Sequence, residues 1–235
     1  MEIGELKVEV IKKDIKNIHL AVYPPNGLVR LTSPKDVNDS TIRLYTISKL
    51  SWIKKQQRKF SKQERQPERN YISRESHYFF GKRYLLKLVE SQLSSNASIQ
   101  NKTYITLTTK SDSTKEQKEK LLEDFYRAEI KKRIPELIEK WEKKMGIKVS
   151  SWGVKKMTTK WGTCNREAKR IWINLELAKK PIECLEYIIV HEMVHIIERH
   201  HNDKFMALMS KYLPKWKLLK NELNNTPVSH IDWEY

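Results

Sequence analysis

The chain has 235 residues, of which 39% are hydrophobic and 32% charged, and a formal net charge of +17. This composition is typical of a soluble globular protein, and no run approaches the ~18 apolar residues that a membrane span needs. A membrane-spanning protein is therefore excluded. The N-terminus lacks a basic segment followed by an apolar one, so no signal peptide is expected. Two cysteines are too few for a disulfide scaffold and fit a reducing cytoplasm, which is the expected location.

The positive charge predicts an attraction to polyanions without specifying which one. Much of it is concentrated in residues 54–69 and residues 115–144. Two interpretations fit these segments, namely solvated helix faces and a surface that binds nucleic acid. DNA association through a basic surface is therefore one hypothesis about partners, and no membrane partner is expected.

The first 110 residues are predicted to be rich in β-structure. Alternating apolar and β-branched residues predict the following strands: 6–11, 18–23, 28–32, 71–73, 77–80, 83–89 and 104–108. A helix is predicted from about Ile42 to Arg58, and residues 94–102 are expected to be a polar turn region. No cluster of reactive side chains occurs here, and the isolated His19 and His77 are expected to pack or to lie on a strand surface.

The polar segment at residues 110–115 is the best candidate for a domain boundary. It divides the chain into a β-rich region at residues 1–110 and a second domain at residues 111–235. In the second domain a long helix is predicted to start at a Ser113 or Thr114 cap and to stop at Gly146, with Pro135 kinking or dividing it. Further strands are predicted at residues 149–154, 160–164 and 170–175, and helices follow.

A metal site is predicted on the helix that begins near Pro181. His191, Glu192 and His195 form the motif H-E-x-x-H. Histidines four residues apart lie on one helix face, one turn above the other, so both rings can bind a single tetrahedral metal. Glu192 is then placed to reach metal-bound water without binding the metal itself. The alternative is a buried helix whose histidines are satisfied by hydrogen bonds, and paired histidines on such an apolar helix disfavour it.

A third ligand is expected, because a catalytic zinc usually takes three protein ligands and one water. The chain must turn near Arg199 to bring such a ligand back to the metal, and Asn202 or Asp203 suits that turn. Spacing alone does not separate the candidates for the position, which are His201, His200, Glu198 and Asp203. The first two of these are close to even.

Two features around the helix bear on the chemistry. The strand at residues 170–175 directly precedes the metal helix, so its edge can line a cleft and pair with an extended peptide. Cys164 as a fourth ligand would close the site and make the metal structural. A small buried apolar residue is the better interpretation of Cys164.

The pattern resembles the YgjP-like family of predicted metal-dependent hydrolases, which is related to the SprT-like and minigluzincin zinc peptidases. The matching residues are Trp161–Cys164 (W-G-T-C), Asn174 at a strand end, H-E-M-V-H at residues 191–195, His201 and Phe205. Departures from the family pattern occur at Thr163, His200, Asn202 and Met206, and none of them removes a ligand. The resemblance implies that His201 is the third ligand. It also implies an α+β fold, with an N-terminal β-rich region followed by a minigluzincin-like zinc peptidase domain of helices and a small antiparallel sheet.

The expected function is that of a zinc-dependent hydrolase, specifically a metallopeptidase acting on a protein or peptide. His191, His195 and His201 would hold Zn2+ and Glu192 would act as the general base. His200 and Tyr212 are the candidates for stabilising an oxyanion. The alternatives are a metal-dependent hydrolase of a non-peptide substrate and a nucleic-acid-associated module with a structural metal. A ligand group without Cys164 favours an enzyme.

Overall fold

The computed structural model describes residues 1–23, 27–62, 69–157 and 160–225. These residues form a mixed α+β structure, as the sequence predicts, and fall into two compact units, one within residues 1–66 and one within residues 67–226. Within the described ranges, no helix has both the length and the apolar character that crossing a membrane requires.

The first unit is a four-stranded sheet with two helices. Its elements are β1 (Glu2–Ile3), β2 (Leu6–Lys13), β3 (His19–Tyr23), β4 (Leu28–Pro34), α1 (Asp39–Ser48) and α2 (Leu50–Lys62). The strand order is β1-β2-β4-β3, with β2 and β4 parallel and the other pairs antiparallel. The strands predicted at residues 18–23 and 28–32 correspond to β3 and β4, which are antiparallel neighbours.

Apolar residues of this sheet and of both helices form the core of the first unit. Its buried members are Val8, Val29, Leu31, Ile42 and Ile53. The single helix predicted from Ile42 to Arg58 is wrong in detail, because Lys49 leaves the helical path and separates α1 from α2. The chain enters α1 earlier than predicted, since the Asn38 side chain accepts a hydrogen bond from the backbone of Thr41 and caps the helix.

The second unit has two sheets and four helices among the described residues. Its first sheet has the order β5-β6-β8-β7 and its second the order β10-β11-β9. In chain order the elements are β5 (Ser76–Phe79), β6 (Lys82–Glu90), β7 (Asn96–Gln100), β8 (Tyr104–Thr109), α3 (Lys115–Met145), β9 (Ser151–Lys155), β10 (Gly162–Asn165), β11 (Arg170–Asn174), a 3₁₀ turn (Leu175–Lys179), α4 (Ile182–Ile197), α5 (Asp203–Tyr212) and α6 (Trp216–Asn225).

Two local predictions in this unit are wrong. Residues 96–100 form the edge strand β7, where the sequence suggested a polar turn region. Only Ala97 and Ile99 are apolar in this strand, which is too few to identify a strand from the sequence. Backbone pairing with β8 makes this segment a strand. The predicted strand at residues 71–73 is absent, because Tyr71 adopts a left-handed backbone conformation with φ of 53°.

Helix α3 continues through Pro135, which was expected to kink or divide it. Burial of Tyr126, Ile130, Ile134 and Ile138, which share one helix face, holds the segments on both sides of the proline in place. Packing therefore offsets the hydrogen bond that proline removes. The predicted ends are confirmed, with a Thr114 capping box and Gly146 in the left-handed region at φ 68°.

Along the chain, the boundary between the compact units falls near residue 66, whereas the sequence suggested a boundary at residue 110. Strands β7 and β8 lie before residue 110 and pack against α3, which lies after it. Whether residues 1–110 and 111–235 are separate domains that fold independently stays a prediction.

Gly153 of β9 provides a testable feature of the second sheet. A Cβ atom at this position would lie 2.2 Å from Cζ3 of Trp172, its cross-strand neighbour. We expect Gly153→Ala to lower the free energy of unfolding by about 1–3 kcal/mol, the usual cost of overpacking. Urea titration followed by circular dichroism measures this. The exposed Ser151→Ala on the same strand should change it by less than about 0.5 kcal/mol. An unchanged urea midpoint for Gly153→Ala would contradict the packing described here.

Candidate metal centre

Three histidine side chains converge in the second unit. The ligand-capable nitrogens of His191, His195 and His201 all lie within 4.8 Å of one another. Nε2 of His201 is 3.1 Å from Nε2 of His191. A tetrahedral zinc with bonds of about 2.0–2.1 Å holds its ligand atoms roughly 3.3 Å apart, so the three rings need only small adjustments to share one ion. No other group of three or more potential ligands of this kind occurs in the described part of the chain.

Helix α4 supplies the first two imidazoles. Eleven of its 16 residues are buried, which makes it a core helix with its histidines on one face. His191 is buried and His195, one turn later, is half-buried. The helix is fixed between β10, β11, α3, α5 and α6, so the positions of both rings depend on the core of the unit.

A turn between α4 and α5 supplies the third imidazole. The chain leaves the helical path at Glu198, and the side chain of Asn202 accepts a hydrogen bond of 3.0 Å from the backbone N–H of Phe205 to start α5. This turn brings His201 back to the other two rings, as the sequence suggested. His201, and not His200, is the member of the nitrogen cluster.

Phe205 forms an apolar contact surface for all three imidazoles. Its ring centroid lies 5.0 Å from that of His191 and 4.7 Å from those of His195 and His201. The ring is almost completely buried. This packing restricts the rotamers of the histidines, so the cluster is preorganised before any ion binds.

The tautomer of His195 is set by the backbone. Its Nδ1 lies 3.1 Å from the carbonyl oxygen of Glu198, which can only accept a hydrogen bond. Nδ1 therefore carries the proton, and Nε2 keeps the lone pair that a metal requires. The end of α4 thus orients one of the candidate ligands.

Burial keeps the imidazoles neutral. Desolvation, together with smaller effects of positive charge at His195, His201 and Lys220, lowers the pKa of His191 to about 2. Desolvation is also the main reason why the pKa values of His195 and His201 are lowered. Neutral imidazole is the form that binds metals, so the site is ready for an ion throughout the neutral pH range.

Glu192 is held against the start of β10. Its side chain is buried, and a Cβ atom on Gly162 would lie 2.6 Å from its Oε1 and 2.8 Å from its Cγ. Only glycine at position 162 lets the carboxylate approach the strand this closely. Glu192 directly follows His191 in the helix, but its carboxylate is not part of the group of potential metal ligands that the three histidines form.

Cys164 stays outside the ligand group that the described residues form. Burial and the neighbouring carboxylate of Glu192 raise the pKa of its thiol to about 12, so the sulfur is protonated. A metal ion would deprotonate a thiol that it binds, so the position of the sulfur decides whether Cys164 is a ligand. The geometry therefore favours a site with three protein ligands over one that Cys164 closes.

Asn174 joins the segments around the site. Its Nδ2 donates hydrogen bonds to the carbonyl oxygens of Met157 (3.0 Å) and Lys160 (2.8 Å). Its Oδ1 accepts hydrogen bonds from the backbone N–H groups of Met157 (3.3 Å) and Glu176 (3.1 Å). This buried amide anchors the chain that leads into β10.

The two oxyanion candidates are not members of the cluster. His200 is exposed, and its backbone N–H donates to Oε1 of Glu198 at 3.3 Å, although its positive charge still lowers the pKa values of His195 and His201. Tyr212 ends α5, with the amine of Lys211 5.3 Å from its ring centroid. Their role in stabilising an oxyanion stays a prediction.

Sequence reasoning missed three residues near the site. Gly162 is the first, as described above. Arg166 is the second: its Nε donates to the carbonyl of Ile196 (3.1 Å) and its Nη2 to that of Ile197 (3.3 Å), which caps the end of the metal helix. The third is Lys220 of α6, whose charge acts on two of the imidazoles. Of the three, only Gly162 lies in a motif that the sequence reveals, namely W-G-T-C. The contacts of Arg166 and Lys220 join residues about 20 to 30 positions apart, so no local pattern indicates them.

Comparison with known proteins assigns the family. The model of the YgjP-like family, described as a metallopeptidase domain, matches residues 16–226. A crystal structure of the metallopeptidase zymogen of Pyrococcus abyssi abylysin aligns with 40% of this chain and 99% of its own, at 16% identity and a TM-score of 0.36, which is too distant to support an argument. No curated protein has a significantly similar sequence. Because the family match extends over most of the chain and includes the whole histidine cluster, the protein is a member of the YgjP-like family and carries its metallopeptidase domain.

Proposed function

We propose that this protein is a zinc-dependent metallopeptidase in which Glu192 is the general base. The observation that carries the proposal is the convergence of three neutral imidazoles beside a buried carboxylate that is not itself part of the ligand cluster. Two free thiols are consistent with the expected location in the cytoplasm.

The donor set fits zinc. Neutral imidazole nitrogens are preferred ligands of Zn2+, and three protein ligands leave the fourth tetrahedral position for water or substrate. Since Cys164 stays outside the cluster, no protein sulfur occupies that position. When bound, zinc polarises a carbonyl and lowers the pKa of a coordinated water to about 7.

Glu192 moves the proton in the proposed reaction. Its carboxylate accepts a proton from the attacking water and then donates it to the leaving amine as the peptide bond breaks. Gly162 leaves room for this carboxylate at the strand, and helix α4 carries it one residue after His191. His191, His195 and His201 would hold the ion, while the carbonyl of Glu198 orients His195 and the ring of Phe205 packs against all three imidazoles.

An extended peptide is the substrate we propose. The edge expected at residues 170–175 is wrong, because β11 is the central strand of the order β10-β11-β9 and is paired on both sides. The edge strand next to Glu192 is β10, which begins at Gly162. A peptide that adds as a further strand along Thr163–Asn165 would have its backbone fixed by hydrogen bonds near the metal centre. Such binding orients a scissile bond with little dependence on its side chains.

Metal content tests the ligand assignment. We expect about one zinc per purified chain, and we expect His195→Ala and His201→Ala each to lose most of it, because two ligands hold the ion much less strongly than three. Elemental analysis measures the loss. His200→Ala is the matched control, since this exposed neighbour lies outside the cluster and its removal should leave the zinc in place. Full zinc in His201→Ala, or loss in His200→Ala, would contradict the assignment.

Glu192→Gln separates catalysis from metal binding. The amide keeps the shape of the side chain but cannot accept the proton, so hydrolysis should fall by at least ~10²-fold while zinc content and melting temperature stay near wild type. New peptide termini produced from unfolded proteins, with and without DNA, report hydrolysis. Glu198→Gln, at a partly exposed carboxylate of the same turn, should retain activity. Cleavage that survives in Glu192→Gln with zinc intact would exclude this mechanism.

Gly162→Ala tests the position of the carboxylate. The added methyl group would overlap Glu192, so the carboxylate must shift away from the strand. A displaced base should lower kcat by about 10- to 100-fold, while the three imidazoles continue to hold zinc. Peptidase kinetics and elemental analysis on the same sample measure both quantities. Thr163→Ala, the next residue of β10, serves as the control, and wild-type kcat in Gly162→Ala would show that the contact does not position the base.

A further inference from the structure

We propose that the outward face of helix α2, in the first unit, binds the phosphate backbone of nucleic acid without reading its sequence. This inference concerns a surface in the other compact unit from the metal centre, and it does not depend on the peptidase activity.

The charge of α2 is one-sided. The helix contains five basic residues and no acidic one. Lys54, Lys55 and Arg58 are all exposed, and none of them forms an ion pair within the described residues. At about 100° per residue, Lys55 and Arg58 lie opposite the buried Ile53. The three cationic side chains therefore share the side of the helix that faces solvent.

Helix α3, the other basic segment, has a different charge pattern. It contains ten basic and eight acidic residues, so its charges nearly cancel. Three of its lysines form ion pairs, namely Lys132 with Glu129, Lys140 with Glu186 and Lys143 with Glu139. The two segments that looked alike in the sequence thus differ in charge balance: α3 carries eight acidic residues alongside its ten basic ones, whereas α2 carries none.

This arrangement is unfavourable in the absence of an anion. Lys54 and Arg58 are spaced i, i+4, and Lys55 and Arg58 are spaced i, i+3, so like charges repel each other on the helix surface. A bound polyanion removes that repulsion. Lys54 and Arg58 are separated by about 6 Å along the helix axis, close to two nucleotide steps of about 3.4 Å, so the two cations can contact phosphates two positions apart on one strand.

The opposite side of α2 is occupied by its own unit. Ile53 is completely buried in the core that β2 and β4 form, and Trp52 packs against the same core. Nε2 of Gln57 donates a hydrogen bond of 2.9 Å to the carbonyl of Gly27. An amphipathic helix binds a membrane by inserting its apolar face, and here that face is not available. The observations therefore favour nucleic acid over a lipid surface as the source of phosphate.

Binding of the full chain to labelled single-stranded and duplex DNA, followed by fluorescence anisotropy at several salt concentrations, tests the proposal. We expect the triple variant Lys54→Gln, Lys55→Gln, Arg58→Gln to bind about 10- to 100-fold more weakly at ~0.1 M salt. Each lost phosphate contact contributes ~0.7–0.9 to the slope of log K against log salt, so the slope should become shallower by about 2. No binding by the wild type at low salt would overturn the proposal.

A matched control separates a specific surface from net charge. The control is the triple variant Lys131→Gln, Lys132→Gln, Arg133→Gln, which also removes two lysines and one arginine, here from exposed positions of α3. It should change the affinity by less than about threefold. Equal weakening by both triple variants would mean that binding follows total charge, and would overturn the assignment to α2.

Three further measurements complete the test. The charge-preserving variant Lys54→Arg, Lys55→Arg, Arg58→Lys should bind DNA like the wild type, and failure to do so would overturn an electrostatic contact. Thermal melting of each variant establishes that the fold is retained. Vesicles containing phosphatidylserine provide the lipid comparison, and binding to vesicles through α2 without binding to DNA would contradict the proposal.

Discussion

Burial of polar groups on an apolar helix is the constraint on which the rest of this structure depends. Helix α4 places His191 and Glu192 in the core of its unit, where an unsatisfied or charged group is costly. Desolvation keeps the imidazoles neutral and therefore able to bind metal, and close packing fixes the carboxylate at the strand. The same low polarity that makes these groups expensive to bury strengthens any electrostatic interaction they make with an ion or a substrate.

The centre of the site could be predicted from the sequence because it depends on residues that are close together in the chain. The spacing of His191 and His195, and the cap at Asn202, act within one or two helical turns. Spacing left His201 and His200 unresolved as the third ligand; the family resemblance favoured His201, and the structure places that ring in the cluster. The existence of most strands and helices was predictable for the same local reason.

The remaining features depend on contacts between distant parts of the chain. Arg166 caps a helix whose end lies 30 residues later, and Gly162 is required only because Glu192 packs against it. Strand β7 exists because β8 pairs with it, and α3 stays continuous at Pro135 because its apolar face is buried. Charge behaves in the same way: a total of +17 says nothing about which cations already have carboxylate partners. In each case tertiary packing decides what local preference leaves open.

The hydrogen bonds of Asn174 restrict which chemistry this position tolerates. The amide donates two bonds through Nδ2 and accepts two through Oδ1, so it needs both kinds of group on one short side chain. Aspartate has almost the same shape, but its second oxygen would face the carbonyls of Met157 and Lys160 and repel them. An aspartate at position 174 would therefore turn two attractive contacts into repulsive ones, without changing any atom of the histidine cluster.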